Sequence, residues 1–395
     1  MVAESWFMEL ANGLGRFFLN PLVYWAVILL IAVGYKRIKM ERKQFGLKIF
    51  DIFSEWKNTW LVSLIVGFLL SIITIGSGMV FSYETIFLIT GVTILLSLAL
   101  RLTMLSPAYT IGVTYFLLLL SPFVLDYQSF IPSDLFEAPN FTALSLLLAL
   151  LLTAEAFLLK RHTRNDTFPA LETGRRGTWV GVHHLKKMTL IPFFVLIPSG
   201  SITSFASFWP YFSLGGETYS LVLVPFIVGF NHAVKGDLPE KAASRLANSI
   251  HILSLVVLFL VIGSMYIGWL SLAAVMTGIV GREYFSYRHR LKDQEKAPLF
   301  NKHERGIKVL AVIPGTSADR LGISIGETIS KVNGKKVADM DAFYYALQES
   351  GAFFKLEIIG DNGEVRFVQS ALYEEDHHEL GIITTQNRYR ENKYA

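Results

Sequence analysis

Long apolar runs set the first limit on what this chain can fold into. Residues 60–80, 85–105, 109–125 and 141–159 each run for about the length a helix needs to cross roughly 30 Å of hydrocarbon. Residues 22–35, extended back through Phe17, make a first such run, broken from an amphipathic lead by Asn20-Pro21. Residues 190–209, interrupted by Pro192, Pro198 and Gly200, read as a sixth, and 219–230, carrying Pro225, as a seventh. The stretch 249–280 would measure roughly 48 Å as one helix, too long for one crossing, so it reads as two spans turning near 263–269. The expectation is a polytopic α-helical membrane protein, about nine spans within residues 1–281.

Charge orients these spans. Lys36, Arg37, Lys39, Arg42, Lys43 and Lys48 follow the first run, and Lys160, Arg161, Arg164, Arg175, Arg176, Lys186 and Lys187 follow the fifth. Lys235, Lys241 and Arg245, and then Arg282, Arg288, Arg290 and Lys292, mark two further basic segments. The 126–140 loop instead holds Asp126, Asp134 and Glu137 without Lys or Arg. Basic loops stay in the cytoplasm, so the N-terminus lies outside and everything after Arg282 lies inside. In the first basic loop Phe45, Ile49, Ile52, Phe53 and Trp56 share one helical face, as in a helix lying among lipid head groups; partner binding is the alternative. Glu4 and Glu9, with no Lys or Arg before Arg16, make a poor signal peptide, so the first span is expected to remain. A net charge of +4 is too small to argue for nucleic acid, and the absence of cysteine excludes disulfides and thiolate chemistry. Residues 282–303 read as a linker and 389–395 as a polar tail.

The segment 304–388 has a different grammar. Ile307, Val309, Ala311 and Ile313 alternate as in a half-buried strand that ends at Pro314-Gly315. A second strand at 327–333 meets Asn333-Gly334, a hairpin signal into 335–337. Asp339 caps a helix to about Gln348 with Phe343, Ala346 and Leu347 on one face. Two more strands, 353–359 and 364–372, are joined at Asp361-Asn362-Gly363. With the string IPGTSADRLGISIGETISKVNGKKV, this segment resembles a bacterial PDZ domain. The closing Glu379-Leu380-Gly381-Ile382 looks like that fold's carboxylate-binding loop, here last in sequence, so the α+β domain would be circularly permuted. The resemblance implies that Leu380, Gly381 and Ile382 hold a terminal carboxylate. Ile383 and Thr384 would then pair with the ligand backbone, while Met340, Tyr344 and Gln348 line the groove. A glycine between apolar residues does let consecutive N–H groups converge on an anion. The plainer alternative is a turn into a final core strand.

Catalysis finds little support. A zinc protease needs two His one turn apart with Glu between, but His303-Glu304 and His378-Glu379 are followed by Ile307 and Ile382 where the second His belongs. Gly76-Ser77-Gly78 and Ser199-Gly200-Ser201, with His232 or His251, are the nearest approach to a Ser–His dyad; small residues in spans more often pack helices. His183-His184 lacks further ligands nearby, so no metal or cofactor is expected. Arg101, Glu155, His232 and His251 are the ionisable residues a transporter would use.

The layout as a whole resembles the MinJ family. FFLNPLVYW, a span ending VGYKRIKMERK, and FDIF in the next loop carry that resemblance. It implies a non-enzymatic adaptor of division-site selection in the bacterial cell membrane, at poles and septum, bridging DivIVA to MinD. From the residues alone the expectation is a membrane-anchored scaffold with a cytoplasmic peptide-binding domain. The alternative is a transporter or intramembrane protease gated by that domain.

Overall fold

The computed structural model describes residues 2–125, 139–174, 177–206, 208–214, 218–301, 306–351, 353–371 and 380–386. The acidic loop from Asp126 to Glu137, the Arg175-Arg176 pair, Glu379 and the tail from residue 387 lie outside the described residues, as do both His-Glu strings. Eight long helices are described: α1 (Val2–Phe17), α2 (Pro21–Phe45), α3 (Trp60–Ser77), α4 (Tyr83–Ser97), α5 (Pro107–Leu125), α6 (Phe141–Lys160), α7 (Pro239–Ser264) and α8 (Leu270–Glu295). Local chemistry sets several ends. Asn20 caps α2, its Oδ1 accepting from the Leu22 amide at 2.9 Å with Pro21 in the first turn, and Gly46 at φ 79° stops it. Asn140 caps α6 in the same way.

Among the described residues, five helices (α2, α3, α5, α6 and α7) are long and apolar enough to cross a membrane, and α4 is a shorter apolar helix. Nine such helices were expected. The sixth and seventh runs are not helical: they form β2 (Trp179–Thr203) and β3 (Thr218–Val234), an antiparallel hairpin flanked by β1 (Phe168–Thr173). A run that is apolar on every side carries no period, so length alone had suggested helix. Its β-branched and aromatic content, with Val195, Ile197, Val222, Val224, Ile227 and Val228 alternating among Phe and Leu, favours the pleated conformation. The expected linker also fails at its start, because α8 continues through Arg282 to Glu295. Residues 46–59 form turns rather than an interfacial helix, and Phe45, Ile49 and Phe50 are buried.

The hairpin is buried on both faces. Phe193 opposite Val224, and Ile191 opposite Phe226, point into the main core with α3 and α6. Met188 and Ile227 point the other way, against Leu22, Leu29 and Val33 of α2. Its edges present the harder problem, since unpaired backbone groups away from water cost several kcal/mol each. Along the outer edge of β2, Met188 donates to the Glu55 carbonyl (3.2 Å), Phe194 to Ser71 Oγ (2.9 Å) and Leu196 to the Met79 carbonyl (3.2 Å). Pro192 and Pro198 share that parity and have no amide to satisfy. Pro192 pairs with Pro225, which does the same for β3. Thr74 of α3 donates to the Phe194 carbonyl, while Arg16 of α1 donates to that of Leu221 (3.1 Å).

After α8 the chain enters a second unit. It comprises β4 (Ile307–Lys308), β5 (Ala311–Val312), α9 (Ser317–Arg320), β6 (Thr328–Val332), β7 (Lys335–Lys336), α10 (Met340–Glu349), β8 (Phe353–Ile359), β9 (Val365–Ala371) and β10 (Ile382–Ile383). Strands β4-β6-β8-β9 form one sheet, with β7 on β6, and β10 pairs with β5 in another. Asn333 and Gly334 both take positive φ, as the Asn-Gly hairpin signal requires. The unit packs on the membrane unit: Ala311, Ile325, Ile383 and Phe300 share a core with Phe45, Phe50 and Phe168. Arg164 and Lys241 both reach Asp361, at 3.1 and 3.3 Å.

Close approach of α3 to β2 depends on Gly67, where an added Cβ would lie 2.0 Å from the Pro192 carbonyl oxygen. Gly67→Leu is expected to destabilise the detergent-solubilised protein by at least about 2 kcal/mol. Gly91→Leu, where nothing lies within 4 Å, should change it by no more than about 0.5 kcal/mol. Thermal unfolding followed by loss of monodisperse protein compares the two; equal behaviour would contradict the packing described.

Candidate functional site

Five of the expected peptide-binding residues, Leu380 to Thr384, lie on β10 or directly beside it in sequence. Leu380 and Gly381 take consecutive left-handed conformations, φ 54° and 83°, and turn the chain into that strand. A Cβ on Gly381 would sit 2.2 Å from Thr316 Oγ1, so only glycine fits. The turn is pinned from one side: the Ala318 amide donates to the Leu380 carbonyl (3.0 Å) and the Ile313 amide to that of Gly381 (2.9 Å). Leu310 likewise donates to the Ile383 carbonyl at 2.8 Å. Backbone groups alternate sides along an extended strand, so those of Ile382 face away from β5. No other strand among the described residues pairs with β10.

Helix α10 shares a core with Leu380 and Ile382. Phe343, Ala346 and Leu347 point into the core, as their spacing predicts, and Asp339 caps the first turn through Ala342 (2.9 Å). Met340 is also in that core. Tyr344 is half-buried and Gln348 exposed, one turn apart, with Gln348 Nε2 donating to the Tyr344 hydroxyl at 2.7 Å. Gln386, just past β10, accepts from the Met340 amide at 3.2 Å and so joins the strand's end to the helix start. The eight residues therefore divide by role. Leu380, Ile382 and Met340 are core, Gly381 makes the turn, Ile383 packs toward the membrane unit, and Thr384 is buried; Tyr344 and Gln348 keep exposed side-chain surface.

The ionisable candidates among the helices form a different arrangement. Glu155 is fully buried and receives Arg282 through Nη2 (2.8 Å) and Nε (3.1 Å), while Ser106 Oγ donates to its other oxygen at 2.6 Å. Arg282 Nη2 also lies 3.1 Å from His232 Nε2. Arg282 had been read only as a loop charge. Nothing in the sequence says which cation a carboxylate inside an apolar run will find. The cluster joins α6, α8, β3 and the turn before α5. Arg101 is exposed, lining a cavity of about 240 Å³ beside Arg282, and His251 is exposed on α7. A second buried set, Arg37 with Glu41 and Glu55 (2.9 Å to the latter) and Lys186 on Glu55 (3.2 Å), ties α2 to the 46–59 turns and the hairpin. Ser199–Ser201 and His232 sit at opposite ends of the hairpin, so no dyad forms there. No group of three or more His, Asp or Glu among the described residues is placed to hold a metal ion.

Comparison with known proteins adds one strong likeness. The chain is 38% identical over 388 residues to the cell division topological determinant MinJ of Bacillus subtilis (strain 168), covering 97% of this chain and 96% of that one. It is 22% identical over 379 residues to a "Probable cell division topological determinant MinJ" of Lacticaseibacillus paracasei, and equally to one of Lacticaseibacillus casei (strain BD-II). No protein-family profile and no solved structure matches.

A buried ion pair that has lost one member leaves the other charge stranded. Glu155→Ala is therefore expected to cost about 3–5 kcal/mol, whereas Glu155→Leu combined with Arg282→Met should recover most of it. Unfolding midpoints of the parent and the two variants give the check; a Glu155→Ala protein as stable as the parent would remove the pair from the account.

Proposed function

Since the chain belongs to the MinJ family of cell division topological determinants, we propose that it is a non-enzymatic, membrane-anchored scaffold of division-site selection. Its C-terminal unit acts as a circularly permuted PDZ-like domain on the cytoplasmic side, and captures an extended or C-terminal segment of a partner by strand addition to β10. The observation that carries this is the β10 edge. Ile382 turns its backbone groups away from β5, directly after a left-handed Leu380-Gly381 turn, and its side chain shares a core with α10. The family resemblance supplies the partners, DivIVA and MinD, and the location at poles and septum. Confinement to the membrane raises local concentration, so a weak single contact suffices when several copies meet a clustered partner. The pairing of Glu155 with Arg282 and Ser106 favours a structural use of those residues over transport.

Gly381→Trp in the full-length protein is expected to abolish co-purification of DivIVA and MinD from membranes while membrane level is unchanged. Tyr344→Ala with Gln348→Ala, which leaves the core side of α10 intact, should weaken capture by about tenfold, as loss of about 1.4 kcal/mol implies. Undiminished capture by both variants would exclude the groove.

A further inference from the structure

A cavity of about 430 Å³ lies between the first turn of α3 and the end of α6, floored by Met188, Thr189 and Phe230 of the hairpin. Three features of its wall point the same way, and the one carboxylate there, Asp166, is paired with Lys187. No side chain caps the first turn of α3, whose amides begin at Trp60 beside the cavity. Helix N-termini of this kind favour anions. Lys57 and Arg161 line the rim, both exposed, and neither forms an ion pair among the described residues. Lys187 is at the back, held by the Ser54 and Lys57 carbonyls and by Asp166. His162 is 94% buried in the wall, and its Nε2 has no hydrogen-bond partner although it is shut off from solvent. Such a group normally has a partner. Burial, and then the Lys187 charge, push this ring down to about 4, so it is neutral in the cytoplasm and one tautomer offers an Nε2–H.

We propose that this cavity binds the phosphate of an anionic phospholipid of the inner leaflet, with Lys57, Arg161, His162 and the α3 amides around the head group. What selects a lipid over free phosphate is the surface that continues from the cavity. Trp60, Leu61 and Ile65 line it and are at least half exposed, and Phe68 follows one turn on, so acyl chains have an apolar track along the outer face of α3. The site also stands where basic loops place the cytoplasmic interface, and Trp60 is the residue type enriched there.

The test uses full-length protein, delipidated in nonionic detergent, with its unfolding midpoint followed against dioleoylphosphatidylglycerol, dioleoylphosphatidylcholine and sodium phosphate. Phosphatidylglycerol should raise the midpoint saturably and phosphatidylcholine should not. Lys57→Ala with Arg161→Ala should need at least about tenfold more phosphatidylglycerol, and His162→Phe, which keeps the ring packing on Phe230, should also weaken the response. Lys336→Ala, an exposed cation of the C-terminal unit, should match the parent. The proposal is overturned if phosphatidylcholine acts equally, if the double variant titrates like the parent, or if Lys336→Ala loses as much. A response to sodium phosphate that phosphatidylglycerol does not exceed would assign the cavity to the free anion and overturn the lipid.

Discussion

Backbone polarity governs the membrane unit. Two strands enclosed by apolar helices have two edges, and every outward amide and carbonyl on them needs a partner that water does not supply. The chain meets this demand in two ways. It removes donors with Pro192, Pro198 and Pro225, and it brings partners against other edge groups, the Glu55 and Met79 carbonyls, Arg16 and small hydroxyl residues of α3 among them: Ser71 accepts from Phe194, and Thr74 donates back to the same residue. That second device requires contact between helix axis and strand, which explains Gly67 over the Pro192 carbonyl and Ser63 beside Thr189. At the far end, Glu9 of α1 takes Ser201 and Ser220, so the amphipathic lead closes the hairpin tip.

The same hairpin links the two units. Its open end pairs with β1, and Gly181 of β2 donates to the Phe300 carbonyl at 2.8 Å. Leu310, next to β5, lies against Gly181 and also donates to Ile383. Strand β10 therefore packs on the membrane unit directly, through Ile383. Asp361, between Arg164 and Lys241, holds the opposite side; hydrogen bonding to Arg164 keeps its carboxyl below the usual range, so this contact persists down to acidic pH. A peptide seated on β10 would be presented in a fixed relation to the bilayer rather than on a free tether.

Local signals were legible wherever one element decides its own fate. Asn20-Pro21, Asn333-Gly334 and Asp339 each marked a boundary that the structure keeps, because capping and turn chemistry act over a few residues. The core side of α10 followed from spacing alone. The hairpin did not, since strand and helix are indistinguishable in an all-apolar run, and its prolines read as defects in helices rather than as edge residues. Phe45 and Ile49 were likewise read as facing lipid, when they are buried in a core shared with the C-terminal unit.

The sequence by itself determined that this is a membrane protein with a separate α+β unit after its last helix, because hydropathy and alternation are properties of contiguous residues. It also placed a turn at Gly381 and a helix capped by Asp339. Only tertiary structure decided that two apolar runs pair as strands, that Glu155 meets Arg282, and that Ile383 faces the membrane unit while Ile382 packs into the C-terminal core. Those outcomes depend on which distant segment supplies the missing partner, and no local pattern encodes that choice.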